Sequence, residues 1–144
     1  MKEQYVTLET AKLARERGLD FDLDLGGNTI CYKKHDDDRG DYWLTSYHVH
    51  FQYPDRNNYI YAPTQAFLAN WLRENHQIQV YAVSGTIAGG KKLRYKDYVG
   101  HVCVASDRGV GNVVHTSIND PRDEEYQTYE EAMEAALINA LHRI

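Results

Sequence analysis

The segment from Tyr61 to His76 constrains the fold more than any other part of the chain, because it predicts an amphipathic helix followed directly by a strand. Proline is tolerated in the first turn of a helix and threonine is a favoured N-cap, so Pro63 and Thr64 predict a start between residues 62 and 65. The large apolar side chains of this helix share one stripe, and they are Phe67, Leu68, Trp71 and Leu72. Because burial of each side chain stabilises a fold by roughly 1.5–3 kcal/mol, we expect the stripe to pack on the sheet that residues 77–83 join.

Two more helices flank the predicted strands. Thr7 is the expected N-cap of the first helix, and Gly18 ends it, because glycine adopts the left-handed conformation that often closes a helix. Thr128 and Glu131 have the spacing of a capping box at the start of the last helix. Since the links between strands are short, antiparallel pairing is favoured. The sequence therefore predicts one α+β domain over residues 1–144, with a mostly antiparallel sheet of about five or six strands and three helices at about 7–17, 64–76 and 128–142.

The composition restricts the classes of function. The chain has 16 basic and 21 acidic side chains, and this acidic balance argues against general coating of nucleic acids. No apolar run approaches the roughly 20 residues that span a bilayer, and no signal peptide is visible, so we expect a cytoplasmic protein. In that compartment Cys31 and Cys103 are expected to be buried, reduced thiols. No cofactor is expected.

Several short motifs of the chain resemble those of a known family. They are Leu8–Ala14 followed by Gly18, Ala62–Gln65, Trp71–Glu74 followed by His76, and Tyr129–Ala132 followed by Ala136 and Leu137. The family comprises small proteins associated with bacterial phages, prophages and mobile elements. The resemblance implies a cytoplasmic accessory protein of mobile-element origin. Because the family has no established activity, the resemblance implies no catalytic or ligand-binding residues.

A pair of histidines is the first candidate site. His48 and His50 are separated by one residue in a predicted strand, so both side chains project from the same face. Two imidazoles so placed can supply two ligands to zinc. A third ligand could come from nearby carboxylates or from other histidines, namely Asp36, Asp37, Asp38, His101 or His115. The alternative interpretation is a pair of solvent-facing histidines, because no metal-binding motif of fixed spacing accompanies them.

A basic and aromatic segment is the second candidate site. Its basic side chains are Lys91, Lys92, Arg94 and Lys96, and they are interleaved with Tyr95 and Tyr98. A single-stranded nucleic acid site needs positive charge to neutralise phosphates and exposed aromatic rings on which bases stack. The alternatives are a solvated hairpin tip and a site for an acidic protein partner.

The tyrosines are the third feature, because the chain has 12 of them and most lie in or next to predicted strands. Such residues either cover half-exposed sheet faces or form a recognition surface, since tyrosine and tryptophan are enriched at the centres of interfaces. His101 and Cys103, two residues apart on one predicted strand, are the nearest approach to a thiol–imidazole pair.

These observations favour a non-enzymatic accessory protein that binds another macromolecule, with a protein as the expected partner. The reasons are the lack of a coherent catalytic motif, the small size and the tyrosine-rich strands. One alternative is binding of single-stranded nucleic acid through residues 91–98. Another is a metal-dependent hydrolase that uses His48 and His50.

Overall fold

The fold class is α+β, as predicted. The computed structural model describes residues 3–19, 28–35, 40–48, 58–84, 87–88, 91–92, 98–105, 113–118 and 126–144. The chain divides into two compact units, Met1–Thr64 and Gln65–Ile144, which are termed unit 1 and unit 2. That residues 1–144 form one domain stays a prediction.

Unit 1 contains one helix and a three-stranded sheet. In chain order its elements are α1 (Leu8–Glu16), β1 (Asn28–Lys34), β2 (Tyr42–His48) and β3 (Tyr59–Tyr61). The strand order is β2-β1-β3, and both pairings are antiparallel. The central strand β1 therefore places Lys33 opposite both Trp43 of β2 and Tyr59 of β3.

Helix α1 forms as its sequence predicts and lies against one face of this sheet. The Thr7 hydroxyl accepts a hydrogen bond from the backbone N–H of Thr10, and Gly18 follows the helix with a φ of +101°. Just before the helix, the carbonyl oxygen of Val6 accepts a 2.7 Å hydrogen bond from the Tyr32 hydroxyl. Within the helix, the Nζ atom of Lys12 lies 4.9 Å from the centre of the Tyr42 ring.

Unit 2 contains two helices, a three-stranded sheet and a two-stranded ribbon. Its elements are α2 (Gln65–His76), β4 (Ile78–Ser84), β5 (Ile87–Ala88), β6 (Lys91–Lys92), β7 (Tyr98–Ala105), β8 (Val113–Ile118) and α3 (Tyr129–Leu141). The sheet has the order β4-β7-β8 and is antiparallel, and β5 pairs with β6. Within the described ranges the strands thus form three separate sheets, so a single sheet of five or six strands is not confirmed.

Helix α3 forms the aliphatic core of unit 2 with the sheet. Its N-cap, Thr128, accepts a 3.2 Å hydrogen bond from the N–H of Glu131, as the capping pattern predicts. Its buried residues are Ala132, Met133, Ala136, Leu137, Ala140 and Leu141. A Cβ atom built on Gly100 of β7 would lie 2.5 Å from the carbonyl oxygen of Ala132. The glycine therefore permits an approach of helix to strand that no other residue allows.

Helix α2 begins and ends as predicted, but the prediction for its buried stripe is partly wrong. Leu68 and Leu72 are fully buried, whereas Phe67 is 37% exposed and Trp71 is half-buried. The Trp71 ring meets the edge of the His76 ring, with 4.7 Å between the ring centres. Trp71 therefore lies on the flank of the helix and not at the middle of its packed face.

The middle of that face is shifted towards a polar residue, Gln65. This side chain is buried because its Nε2 atom donates to the carbonyl oxygen of Glu130, at 3.0 Å, and to the carboxylate of Glu134, at 2.9 Å. Gln65, Leu68 and Leu72 then follow the i, i+3, i+7 spacing of one helix face. A buried amide with two acceptors carries little desolvation cost, which explains how it displaces the aromatic residues from this face.

None of the described helices is both long and apolar enough to cross a bilayer. Cys31 and Cys103 are free thiols, the first buried and the second half-buried.

Candidate functional site

The predicted metal site falls largely outside the part of the chain that the structure describes. His48 is the last residue of β2, where it is the register partner of Asn28, but its side chain and the whole of His50 are not described. The carboxylates at 36–38 are not described either. Among the side chains that are described, no group of three or more His, Cys, Asp or Glu could hold a metal ion. The histidine site stays a prediction.

The predicted nucleic-acid segment is described at three of its six positions. Lys91 and Lys92 form β6, paired with β5, while Arg94, Tyr95 and Lys96 lie outside the described residues. Tyr98 begins β7 and exchanges backbone hydrogen bonds of 2.8 and 3.1 Å with Tyr126. Its ring meets the ring of Tyr129 edge-on, with 6.2 Å between centres. Tyr98 is thus an anchoring residue of unit 2, which does not favour its predicted use as a base-stacking platform.

The thiol–imidazole pair is arranged around a tyrosine. His101 and Cys103 share one face of β7, and Tyr81 of β4 is the register partner of His101. The rings of Tyr81 and His101 stack with 5.0 Å between centres, and His101 is buried. The Cys103 thiol donates to the Tyr81 hydroxyl oxygen at 3.9 Å. The described partner of the thiol is therefore a phenol and not the imidazole.

The electrostatics of Tyr81 do not make it a base for the Cys103 thiol. Burial raises the pKa of the Tyr81 phenol above its ordinary value. A phenol with a raised pKa stays protonated at neutral pH and cannot take a proton from the thiol, so this contact does not activate a nucleophile. The cluster fits a packed, weakly hydrogen-bonded group better than a catalytic one.

A row with two aromatic residues lies on the sheet of unit 1, on the face opposite α1, and its exposed member is Trp43. Tyr32 and Tyr42 contact the segment of α1, and neighbouring residues of a strand point to opposite faces. Lys33, Trp43 and Tyr59, which are register partners across the three strands, therefore share the other face. This row crosses the whole sheet.

Two side-chain contacts are made along this row, one between Trp43 and a histidine and one between Lys33 and Tyr59. The Trp43 ring is 46% exposed and stacks on His35, with 5.9 Å between ring centres and 23° between planes. The Nζ atom of Lys33 lies 5.7 Å from the centre of the Tyr59 ring, within the range of a cation–π contact. His35, Lys33, Trp43 and Tyr59 are termed the Trp43 surface.

Sequence reasoning pointed to tyrosines as a recognition surface but did not single out Trp43. The missed signal is the run Tyr42-Trp43-Leu44, because three consecutive bulky residues cannot all point to one side of a strand. Trp43 and Leu44 point to opposite faces, and both remain exposed, at 46% and 43%. Strand β2 pairs only with β1 among the described strands, so both side chains lie at an edge of the sheet.

Comparison of the chain with protein-family models, with curated proteins and with solved structures gives no match. The resemblance to proteins of phages and mobile elements therefore stays a prediction. The structure itself defines an α+β protein with an exposed aromatic surface on one unit.

Proposed function

We propose that this chain is a non-enzymatic binding module that recognises another protein through the Trp43 surface. In keeping with the family resemblance, we propose that it acts in the cytoplasm as an accessory protein of phage or mobile-element origin. The observation that carries the proposal is the exposure of Trp43 at one end of a row of aromatic and cationic side chains, on the edge strand β2.

The chemistry of this row suits a protein interface. Tryptophan is the residue most enriched among those that dominate binding energy, because its ring buries a large area at a low cost in conformational entropy. Stacking on His35 holds the ring in one orientation before a partner arrives, which lowers that cost further. Lys33 supplies a positive charge beside the ring. A matching partner presents an apolar side chain to Trp43 and a carboxylate to Lys33.

A protein partner fits the charge of the chain better than a nucleic acid. The formal net charge is −5, and the Trp43 surface contains a single lysine, Lys33, and no arginine. Nucleic-acid affinity depends on neutralising several phosphates, and one lysine supplies too little positive charge for that. The surface can bury its aromatic rings against a protein without that requirement.

The test uses a variant that removes the exposed tryptophan ring, together with a matched control. Wild-type protein, Trp43→Ala and Phe67→Ala are immobilised and used to capture partners from a bacterial lysate. Phe67 is the control because it is a partly exposed aromatic residue of the other unit. A captured protein is then purified and its Kd for each variant is measured by calorimetry. We expect Trp43→Ala to weaken binding by at least about 30-fold, the effect of losing a dominant interface residue.

The proposal fails if Trp43→Ala and wild type bind the purified partner equally well, or if Phe67→Ala is equally damaging. A fluorescently labelled single-stranded DNA is included as a probe. If that DNA binds at low salt and Trp43→Ala abolishes the binding, the surface belongs to a nucleic-acid site and the protein partner is rejected.

A further inference from the structure

A cleft between α2 and β4 is a second candidate site, and it lies within unit 2. Its volume is about 270 Å³, and it is lined by Ala69, Asn70, Arg73, Gln79, Val80 and Tyr81. It shares no residue with the Trp43 surface. The polar atoms that line it belong to a guanidinium, two amides and a phenol.

The cleft touches β4 at three consecutive residues. Gln79, Val80 and Tyr81 are consecutive residues of the strand, so their side chains alternate between the two faces of the sheet. A cleft that touches all three therefore reaches the backbone of the strand as well as its side chains. Among the described strands β4 pairs only with β7, so its second edge has no strand partner in the described part of the chain. On such an edge every second residue directs both its N–H and its C=O outward.

Three of the polar side chains in the cleft have no partner in the described part of the chain. No hydrogen bond or ion pair from described residues engages Asn70, Arg73 or Gln79, and all three are exposed. Asn70 and Arg73 are three residues apart on α2, so they lie on one side of the helix. Together the three groups offer a positive charge and several N–H donors to a ligand.

We propose that this cleft binds an extended polypeptide segment that carries a carboxylate, with its backbone pairing along β4 and its carboxylate on Arg73. A guanidinium forms two parallel hydrogen bonds with a carboxylate, and the amides of Asn70 and Gln79 can donate further bonds. The edge of β4 supplies backbone hydrogen bonds, as in other cases where a peptide adds a strand to a sheet. The single positive charge of the lining matches a carboxylate better than a doubly charged phosphate.

The experiment is a titration of ¹⁵N-labelled full-length protein, followed by backbone amide chemical shifts. The probe is the blocked peptide acetyl-Val-Thr-Glu-Thr-Val-amide, and its matched control has glutamine in place of glutamate. We expect the glutamate peptide to shift the amides of α2 and β4 that line the cleft. The glutamine peptide is expected to bind at least about tenfold more weakly, because it lacks the carboxylate that pairs with the Arg73 guanidinium.

Variants assign the effect to Arg73. Arg73→Gln is expected to weaken binding of the glutamate peptide at least about tenfold, and Arg73→Lys by less, since lysine keeps the charge but loses the two-pronged geometry. Arg17→Gln is the control, because Arg17 is an exposed arginine of unit 1. Trp43→Ala is expected to leave the titration unchanged, so failure of this site and failure of the Trp43 surface can be told apart.

Two further probes decide between ligand classes. If inorganic phosphate shifts the same amides with equal or greater affinity, the cleft is a simple anion site and the peptide proposal is wrong. If a single glutamate residue, N-acetylated and amidated at its α-carboxyl group, binds as tightly as the pentapeptide, pairing along β4 is rejected. Equal binding of the glutamate and glutamine peptides, or no shift at the lining residues, also overturns the proposal.

Discussion

The two units contain similar secondary-structure elements but differ in the types of side chain that these elements bury and expose. Each has a three-stranded antiparallel sheet and at least one helix that begins after a threonine N-cap, Thr7 in unit 1 and Thr128 in unit 2. In unit 2 the buried side chains are mostly leucine, valine and alanine. In unit 1 the sheet carries tyrosines and a tryptophan, and several of these remain half-buried or exposed.

This difference in side chains suits unit 2 to folding stability and unit 1 to recognition of a partner. Leucine and alanine pack closely and leave no polar atom to satisfy, so the residues of α3 suit a permanent core. Tyrosine and tryptophan combine a large apolar area with a polar atom, which suits a surface that is wet when free and covered when bound. We therefore expect damaging substitutions to cluster in unit 2 for folding and in unit 1 for recognition of a protein partner.

The largest expected effect is that of Leu137→Ala in α3. Leu137 is fully buried, and truncation of a buried leucine costs about 2–5 kcal/mol through lost burial and the cavity that remains. Urea denaturation followed by circular dichroism measures the loss. Hydrogen exchange then locates it, and we expect the amides of β7 to lose more protection than those of β1. If Ile60→Ala in unit 1 proves more damaging, the contrast between the units is wrong.

The second effect appears at alkaline pH and belongs to unit 1. Burial raises the pKa of the Cys31 thiol from 9.0 to about 11, against a smaller opposing influence of Lys33. Because the unfolded chain releases this proton at lower pH than the folded chain, the contribution to stability is complete below pH 9. This contribution to the free energy of unfolding, about 2–3 kcal/mol, is lost as the pH rises to about 11.

The measurement compares the free energy of unfolding of wild type and Cys31→Val across this pH range. Valine keeps an apolar side chain but does not titrate, so tyrosines and lysines affect both proteins alike. We expect the curves to run parallel below pH 9 and the wild-type curve to fall more steeply above it. Parallel curves throughout would show that the Cys31 thiol is not buried as described.

The third effect is that of Gly100→Ala, where unit 2 depends on the absence of a side chain. The added Cβ would lie 2.5 Å from the carbonyl oxygen of Ala132 and 2.9 Å from the Cβ of Ala136. Since a backbone atom must move, we expect a loss of about 1–3 kcal/mol. Adding Ala136→Gly removes only one of the two clashes, so thermal denaturation should show a partial rescue.

Gly18 of unit 1 provides the matched control for this substitution. It has a φ of +101°, and nothing lies within 4 Å of a Cβ atom built on it. The cost of replacing this glycine is therefore conformational and not steric. Asparagine tolerates positive φ, and Gly18→Asn should therefore be milder than Gly18→Ala, whereas Gly100→Asn should be worse than Gly100→Ala. The same ranking at both sites would contradict the close approach of α3 to β7.

The helices could be predicted from the sequence because their signals are local. Thr7 and Gly18 mark the limits of α1, and Thr128 with Glu131 marks the start of α3. The caps depend on residues within three positions of each other, so no knowledge of the rest of the fold is required. The strand after α2 was also predictable from its alternating residues, since a strand was expected at 77–83 and β4 is Ile78–Ser84.

What could not be predicted depends on contacts between distant residues. Periodicity placed Trp71 on the packed face of α2, but the buried face is set by Gln65, whose acceptors lie on α3. Strand pairing is equally non-local, and the separation of the described strands into several sheets has no signature in any single segment. The cleft lined by Arg73 was also missed, although residues 69–81 are close in sequence, because it exists only where α2 packs beside β4.

The smallest expected effect on stability is that of Trp43→Ala, and it is compared with Trp71→Ala, which removes the tryptophan of the other unit. Trp43 is 46% exposed and Trp71 is half-buried against His76, so Trp43→Ala should change the free energy of unfolding by no more than about 0.5 kcal/mol. Trp71→Ala should cost more, about 1–3 kcal/mol, because it removes packed area. Urea denaturation measures both. A large loss for Trp43→Ala would place its ring in the core, and a core residue cannot serve as the centre of a recognition surface. A small loss combined with weakened partner binding would separate folding from recognition, as the contrast between the units requires.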